Sequence, residues 1–157
     1  MNQLIAYFQG DVRRINHALK VYGLAKSIAE MEKLPAATQE VLEAAAILHD
    51  IGIKNSEQKY NSAAGTYQEL EGPPVAKALL RELNLPVEII DRVCFLIGHH
   101  HTYSKIEGVD FQILVEADFL VNIFEDGIKK EQIKVIRDKY FKTAAGKALL
   151  DSMYLND

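Results

Sequence analysis

The sequence contains no tryptophan, one cysteine and only four prolines. A lone thiol excludes an intramolecular disulfide and fits a reducing compartment. Set in the apolar run Val93-Cys94-Phe95-Leu96-Ile97, Cys94 reads as a small buried hydrophobe rather than a reactive nucleophile. No apolar run approaches the roughly 20 residues that a membrane helix needs. The segment Met1 to Gly10 also lacks the basic and then apolar organisation of a secretory leader. The expectation is a soluble, cytoplasmic protein. Nor does one charge dominate: Asp and Glu number 22 against 18 Lys and Arg, for a formal net charge of -4. Both signs are interspersed, so no basic face advertises a nucleic acid polymer or an anionic membrane. Internal repeats, low-complexity tracts and linkers are missing as well, which leaves residues 1–157 as one domain. A charged small substrate would have to be held locally. Oligomeric state is left open.

What the chain does contain is apolar periodicity. At 48% hydrophobic over 157 residues it has material for one substantial core. Apolar residues recur at helical spacing nearly everywhere, and two-residue alternation is scarce, so the fold class is all-α, a compact helical bundle. Asp11 is placed to cap a long helix with Ile15, Leu19, Tyr22, Ala25 and Ile28 on its apolar face, ending before Leu34-Pro35. A second helix is expected from about Thr38 to Asp50, stopping at Ile51-Gly52. The polar stretch from Ile53 to Gly72 reads as a loop followed by a short helix, and Pro73-Pro74 as the start of the next one. After Leu85-Pro86 a helix runs towards His99-His100-His101, and Thr102 to Gly108 is loop-like. Asp110 can cap the segment from Phe111 to Phe124, apolar almost all round and therefore central. Shorter helices over about 128–153 pack on this body.

Four places put a potential metal ligand inside these apolar patterns: His17, His49-Asp50, His100 with its neighbours, and Asp118. The pair His49-Asp50 ends the run Leu42-Glu43-Ala44-Ala45-Ala46-Ile47-Leu48. An imidazole and a carboxylate there cost several kcal/mol to desolvate unless a partner compensates, and a divalent cation does so well. Successive helical side chains diverge by roughly 100°, so both converge on one point only beside the helix end that Ile51-Gly52 supplies. A bare carboxylate at Asp118 would have its pKa pushed upward, which calls for a metal or a cationic partner. His17, with Arg13, Arg14 and Asn16 nearby, reads equally as a hydrogen-bonded histidine at the core edge.

Taken in order, His17, then His49-Asp50, then Asp118 resembles the H…HD…D signature of the HD superfamily of metal-dependent phosphohydrolases. Arg14-Ile15-Asn16-His17 resembles the helix of the first histidine, Ala44 to Gly52 the small-residue run into HD and a glycine, and Glu116-Ala117-Asp118 the last-ligand helix. The signature region spans about residues 11–125. The resemblance implies an all-α bundle with His17, His49, Asp50 and Asp118 on one divalent cation. It also implies hydrolysis of a phosphate ester, most often in a nucleotide, by a metal-bound water that Asp50 helps to position or deprotonate. Two imidazoles and two carboxylates suit manganese, cobalt, nickel, iron, zinc or magnesium without choosing among them.

A cationic environment should then hold the phosphate. Arg13 and Arg14 precede His17 by four and three residues, so either can lie near its face, and Arg14 is the preferred candidate. Lys54 lies just beyond the HD turn, with Lys59 further on and Glu71 as an optional base. Val93, Leu96, Ile97 and His100 share one helical face, so His100 points inward and His99 is next. His99 is accordingly a substrate-binding candidate and His100 a phosphate binder or proton donor to the leaving group. Two-metal relatives use extra histidines between HD and the last aspartate. Many have a histidine about four residues before the glycine that is Gly72 here. This chain has Gln68, a poor ligand, which favours one metal over two. Tyr60, Tyr67 and Tyr103 are candidates for stacking on a base. Three other readings stay open: a nucleotide- or metal-sensing module without turnover, an HD-type di-iron oxygenase using His99 and His100, and a metal-free bundle.

Overall fold

The computed structural model describes residues 1–156, and among them it contains helices and no strands. A short α1 (Asn2–Phe8) leads into α2 (Val12–Met31), whose N-terminus is capped by Asp11 accepting from the Arg14 backbone N–H. Next come α3 (Ala36–Leu48), α4 (Ile53–Tyr60), α5 (Gly65–Glu82) and α6 (Val87–Ile97). A 3-10 turn at Tyr103–Lys105 precedes α7 (Val109–Glu125), followed by α8 (Lys130–Tyr140), α9 (Ala144–Leu150) and a π-helical turn at Asp151–Leu155.

Helix α7 is the central element, as its all-round apolarity demands. Residues Phe111, Ile113, Leu114, Ala117 and Leu120 are fully buried, and α7 packs against α2, α3, α8 and α9. Helix α2 also packs on α3, and α6 lies between α3 and α5. Three ligand-bearing elements, α2, the end of α3 and α7, are thereby mutual neighbours. Glu116, fully buried on α7, ties the C-terminal helices down: its carboxylate accepts from the backbone N–H of Lys142 and Thr143 and from the Thr143 hydroxyl.

The expected boundaries fail in two places. The stretch after Gly52 is not a loop but α4, a polar helix with only Ser56 buried, whose hydroxyl donates to the Ser62 carbonyl. Pro73-Pro74 does not open a helix; both prolines lie inside α5. Each removes a backbone donor from that helix. Tertiary packing outweighs this cost: Gly72 sits against Gly52 and Ile97, and Pro73 packs near Gly98. At Gly52 an added Cβ would collide with the Gln68 carbonyl and lie 2.5 Å from the Gly72 nitrogen. Gly52 is therefore required by close approach of the HD turn to α5, since its φ of -74° is open to any residue. A smaller shift concerns Asp110, which lies in the first turn of α7 behind Gly108 at the N-cap and binds the Arg92 guanidinium.

Candidate metal centre

His17 projects from α2, His49 closes α3, Asp50 occupies the turn that follows, and Asp118 projects from the middle of α7. Helix α3 ends at Leu48, and His49, still helical in its backbone, and Asp50, in the turn that follows, reach the same point. His17 Nε2 lies 3.2 Å from His49 Nε2, 3.2 Å from Asp118 Oδ1 and 3.6 Å from Asp50 Oδ2. His49 Nε2 is 3.6 Å from each of Asp50 Oδ2 and Asp118 Oδ1. Side chains of His17, His49 and Asp118 are buried, while Asp50 is partly exposed.

The orientation of each ring is set from behind. His49 Nδ1 lies 2.9 Å from the Ala46 carbonyl and His17 Nδ1 lies 3.0 Å from Glu125 Oε2. A carbonyl or carboxylate can only accept, so both Nδ1 atoms carry the proton and both neutral rings turn an Nε2 lone pair towards the other. Two lone pairs at 3.2 Å repel unless a cation lies between them. In the metal-free chain that cation is a proton. Burial pushes His49 down, but the Asp50 and Asp118 carboxylates outweigh burial and raise its pKa from 6.5 to about 9. His17 is raised too: burial lowers it, and Asp118 and Asp50 overcome both burial and His49. Asp50 and Asp118 are held well below the carboxylate range despite burial, Asp50 chiefly by His49 and Asp118 by His17 and His49. A divalent cation answers the same electrostatics. Donors about 2.1 Å from a shared ion stand roughly 3.0–3.4 Å apart in tetrahedral or octahedral arrangements, close to the spacings here. The residues fit a divalent metal.

The family model for the HD domain matches residues 14–143. The chain belongs to the HD domain family. A solved structure described as a predicted HD superfamily hydrolase, from an uncultured Thermotogales bacterium, superimposes with a TM-score of 0.70 at 23% identity. That likeness covers 98% of this chain and 82% of the other, and shows the fold. No curated protein sequence matches the chain. The HD fold is that of metal-dependent phosphohydrolases, and the histidine and aspartate cluster is of the kind that HD domains use for divalent metals. Among the described residues no helix is long and apolar enough to cross a membrane.

Beside the cluster this HD domain opens a cavity of about 460 Å3, lined among others by His17, Asp50, Asn122, Glu125, Arg13 and Arg14. Arg14 is held there by Asp11 at 2.8 Å and Glu57 at 2.6 Å. Lys54 is not brought to the site: its Nζ donates to the Tyr7 carbonyl at 3.0 Å and lies 5.0 Å over the Tyr7 ring. Lys59 and Tyr60 both bind the Glu71 carboxylate. Tyr60 and Tyr67 stack on each other, whereas Tyr103 packs on Phe119 and Tyr140 at the core edge. Cys94 is half-buried, and burial pushes its thiol up.

The histidine triplet departs from the helical extrapolation. Helix α6 ends at Ile97, and the chain tightens into i→i+3 turns, with the His99 N–H bonded to Leu96 and the Thr102 N–H to His99. His99 therefore turns its Nδ1 to the Phe95 carbonyl and its ring onto Phe95, away from the cluster. His101, rather than the expected His99, groups with Asp50 and His100. His100 is 2% exposed, its Nδ1 donating to the Ile97 carbonyl and its Nε2 lying 3.4 Å from Asp50 Oδ1. It stands behind Asp50 and off the cavity wall. Gln68 donates to the Ala63 carbonyl, and its Oε1, like His100 Nε2 and His101 Nε2, is buried without a hydrogen-bond partner among the described residues. Two contributors escaped sequence reasoning. Asn122 donates to Asp118 Oδ1 at 2.9 Å, and Glu125 holds both His17 and Lys20. Their signal was spacing: they follow Asp118 by four and seven residues, on the same helical face.

Proposed function

We propose that this HD domain is a metal-dependent phosphohydrolase acting on a phosphate ester in a small molecule, with a nucleotide or nucleoside phosphate as the substrate class. His17, His49, Asp50 and Asp118 would hold the divalent cation. The observation that carries this reading is the convergence of two Nε2 lone pairs and two carboxylates within 3.2–3.6 Å beside an open cavity. When bound, the cation supplies Lewis acidity, making water at the site a better nucleophile near neutral pH and offsetting phosphoryl charge. Glu125 and the Ala46 carbonyl fix the tautomers of His17 and His49, and Asn122 orients Asp118. Asp50, partly exposed on the cavity wall, would orient and deprotonate an attacking water, with His100 Nε2 3.4 Å behind its outer oxygen.

A second reading concerns stoichiometry. Asp50 turns Oδ2 towards His17 and His49 and Oδ1 towards His100. With His101 nearby and two buried Nε2 atoms unpartnered, the Asp50-His100-His101 group supports a second cation sharing Asp50. Metal analysis of the purified protein separates one atom per chain from two. Loaded with manganese or cobalt, the protein is expected to release phosphate or pyrophosphate from members of a nucleotide and sugar phosphate panel. Asp50→Ala should abolish release while leaving helical content intact, and persistent turnover in that variant defeats the mechanism. A ligand that raises the melting temperature with metal, yet yields no product over hours, marks a sensor instead. Two irons per chain and an oxygen-dependent reaction mark an oxygenase, and unchanged metal content in His49→Ala a metal-free bundle.

A further inference from the structure

The charges on the cavity wall are unevenly committed. Arg14 is consumed by Asp11 and Glu57, and Glu125 by Lys20 and His17. Among the described residues the Arg13 side chain makes no hydrogen bond or ion pair, although it lines the same cavity and lies one helical turn before His17. Its guanidinium is the one wall cation left for a ligand. The same wall carries carboxylates: among the described residues Asp126 has no side-chain partner, and Asp11 and Glu57 share a single arginine. Apart from the metal ligands, the wall thus carries more negative than positive charge.

Such a wall has limited tolerance for anions. The two carboxylates of the metal site already balance a divalent cation, so the ligand's charge must be met by Lewis acidity at the centre and by Arg13. A single phosphoryl group, with its planar guanidinium partner, fits that supply. A triphosphate brings two further phosphates, and no uncommitted cation on the wall awaits them. Those phosphates would meet Asp126 and Glu57 in a partly enclosed space, where like charges are poorly screened.

We infer that the site selects substrates carrying one terminal phosphoryl group on an uncharged body, such as a nucleoside or sugar monophosphate, over di- and triphosphates, and that Arg13 rather than Arg14 grips the phosphoryl oxygens. This rests on the phosphohydrolase reading for its reaction, but not for its binding preference. The test compares nucleoside 5′-mono-, di- and triphosphates with the same base, and a sugar 6-phosphate, on manganese-loaded protein. Turnover is followed by product release and affinity by calorimetry. Monophosphate kcat/KM is expected to exceed that of the triphosphate at least 10-fold. Arg13→Ala should raise monophosphate KM at least 10-fold with metal content unchanged, while Arg14→Ala changes KM less. Asp126→Lys, which adds a cation at an exposed position, should narrow the mono- to triphosphate ratio at least five-fold.

If nothing is turned over but calorimetry still ranks monophosphate above triphosphate and Arg13→Ala erases the binding, the hydrolase reading fails and this inference stands. Turnover that favours the triphosphate, or an Arg13→Ala variant with unchanged KM, overturns the inference and leaves the hydrolase intact. Absence of both turnover and monophosphate binding overturns both.

Discussion

Glu125 offers a direct probe of how the fold prepares its metal site. Its Oε2 accepts from His17 Nδ1 at 3.0 Å, and its Oε1 from Lys20 Nζ at 2.9 Å. Glu125→Ala removes the group that pins the His17 proton on Nδ1, so the neutral ring is free to carry it on Nε2, where it occupies the lone pair aimed at the cluster. Loss of such a hydrogen bond behind a ligand histidine costs about 10- to 100-fold in metal affinity, or about 1.4–2.7 kcal/mol. Glu125→Gln keeps an acceptor oxygen without the charge and should fall between wild type and alanine. Lys20 touches the carboxylate from the exposed side, so Lys20→Ala should change affinity less than about two-fold. Competition for cobalt between the protein and a chromophoric chelator measures all three. Equal affinities for Glu125→Ala and Lys20→Ala would falsify the argument, because the two variants lose the same ion pair and only one loses the histidine.

The metal-free protein should be sensitive to alkali. His49 rises from 6.5 to about 9 on folding, so its contribution is complete below pH 6.5 and disappears as pH climbs through about 9. Its upper bound is about 3 kcal/mol. Thermal unfolding should show the melting temperature falling across that window without metal and staying flatter with it; parallel curves would contradict the proton-for-metal exchange. On α7, two residues before Asp118, Glu116→Ala strands the backbone donors of Lys142 and Thr143 and should cost about 2–4 kcal/mol in urea unfolding. Gly146→Ala drives a Cβ into Glu116 Oε2, so it too should destabilise, and combined with Glu116→Ala it should cost less than the sum. Additive losses would show that the two groups do not meet.

Periodicity was sufficient to read α2, α3, α6 and α7, because each buries one broad apolar face or, for α7, nearly its whole surface. It failed for α4, where only Ser56 is buried and docking rather than pattern maintains the helix. It failed again at Pro73-Pro74, where local rules favour a helix start but contacts with Gly52, Ile97 and Gly98 carry α5 through. His99 was misplaced for a related reason: a 100° step per residue holds only while the helix lasts, and α6 stops at Ile97.

The sequence by itself determined the chemistry available: two histidines and two aspartates stranded in apolar helices, at positions whose desolvation demands a cation. That much is local, since composition and spacing alone make such groups costly to bury. Only the tertiary structure decided which charges remain free to act. Arg14, preferred by spacing, is neutralised by Glu57 from α4, Lys54 is drawn to Tyr7 of α1, and Arg13 is left uncommitted. Glu125 gains its place from a partner 108 residues away in the chain, and His101 is brought close to Asp50 from more than 50 residues away. Ion pairing and ring orientation depend on distances between helices, which no single helix encodes.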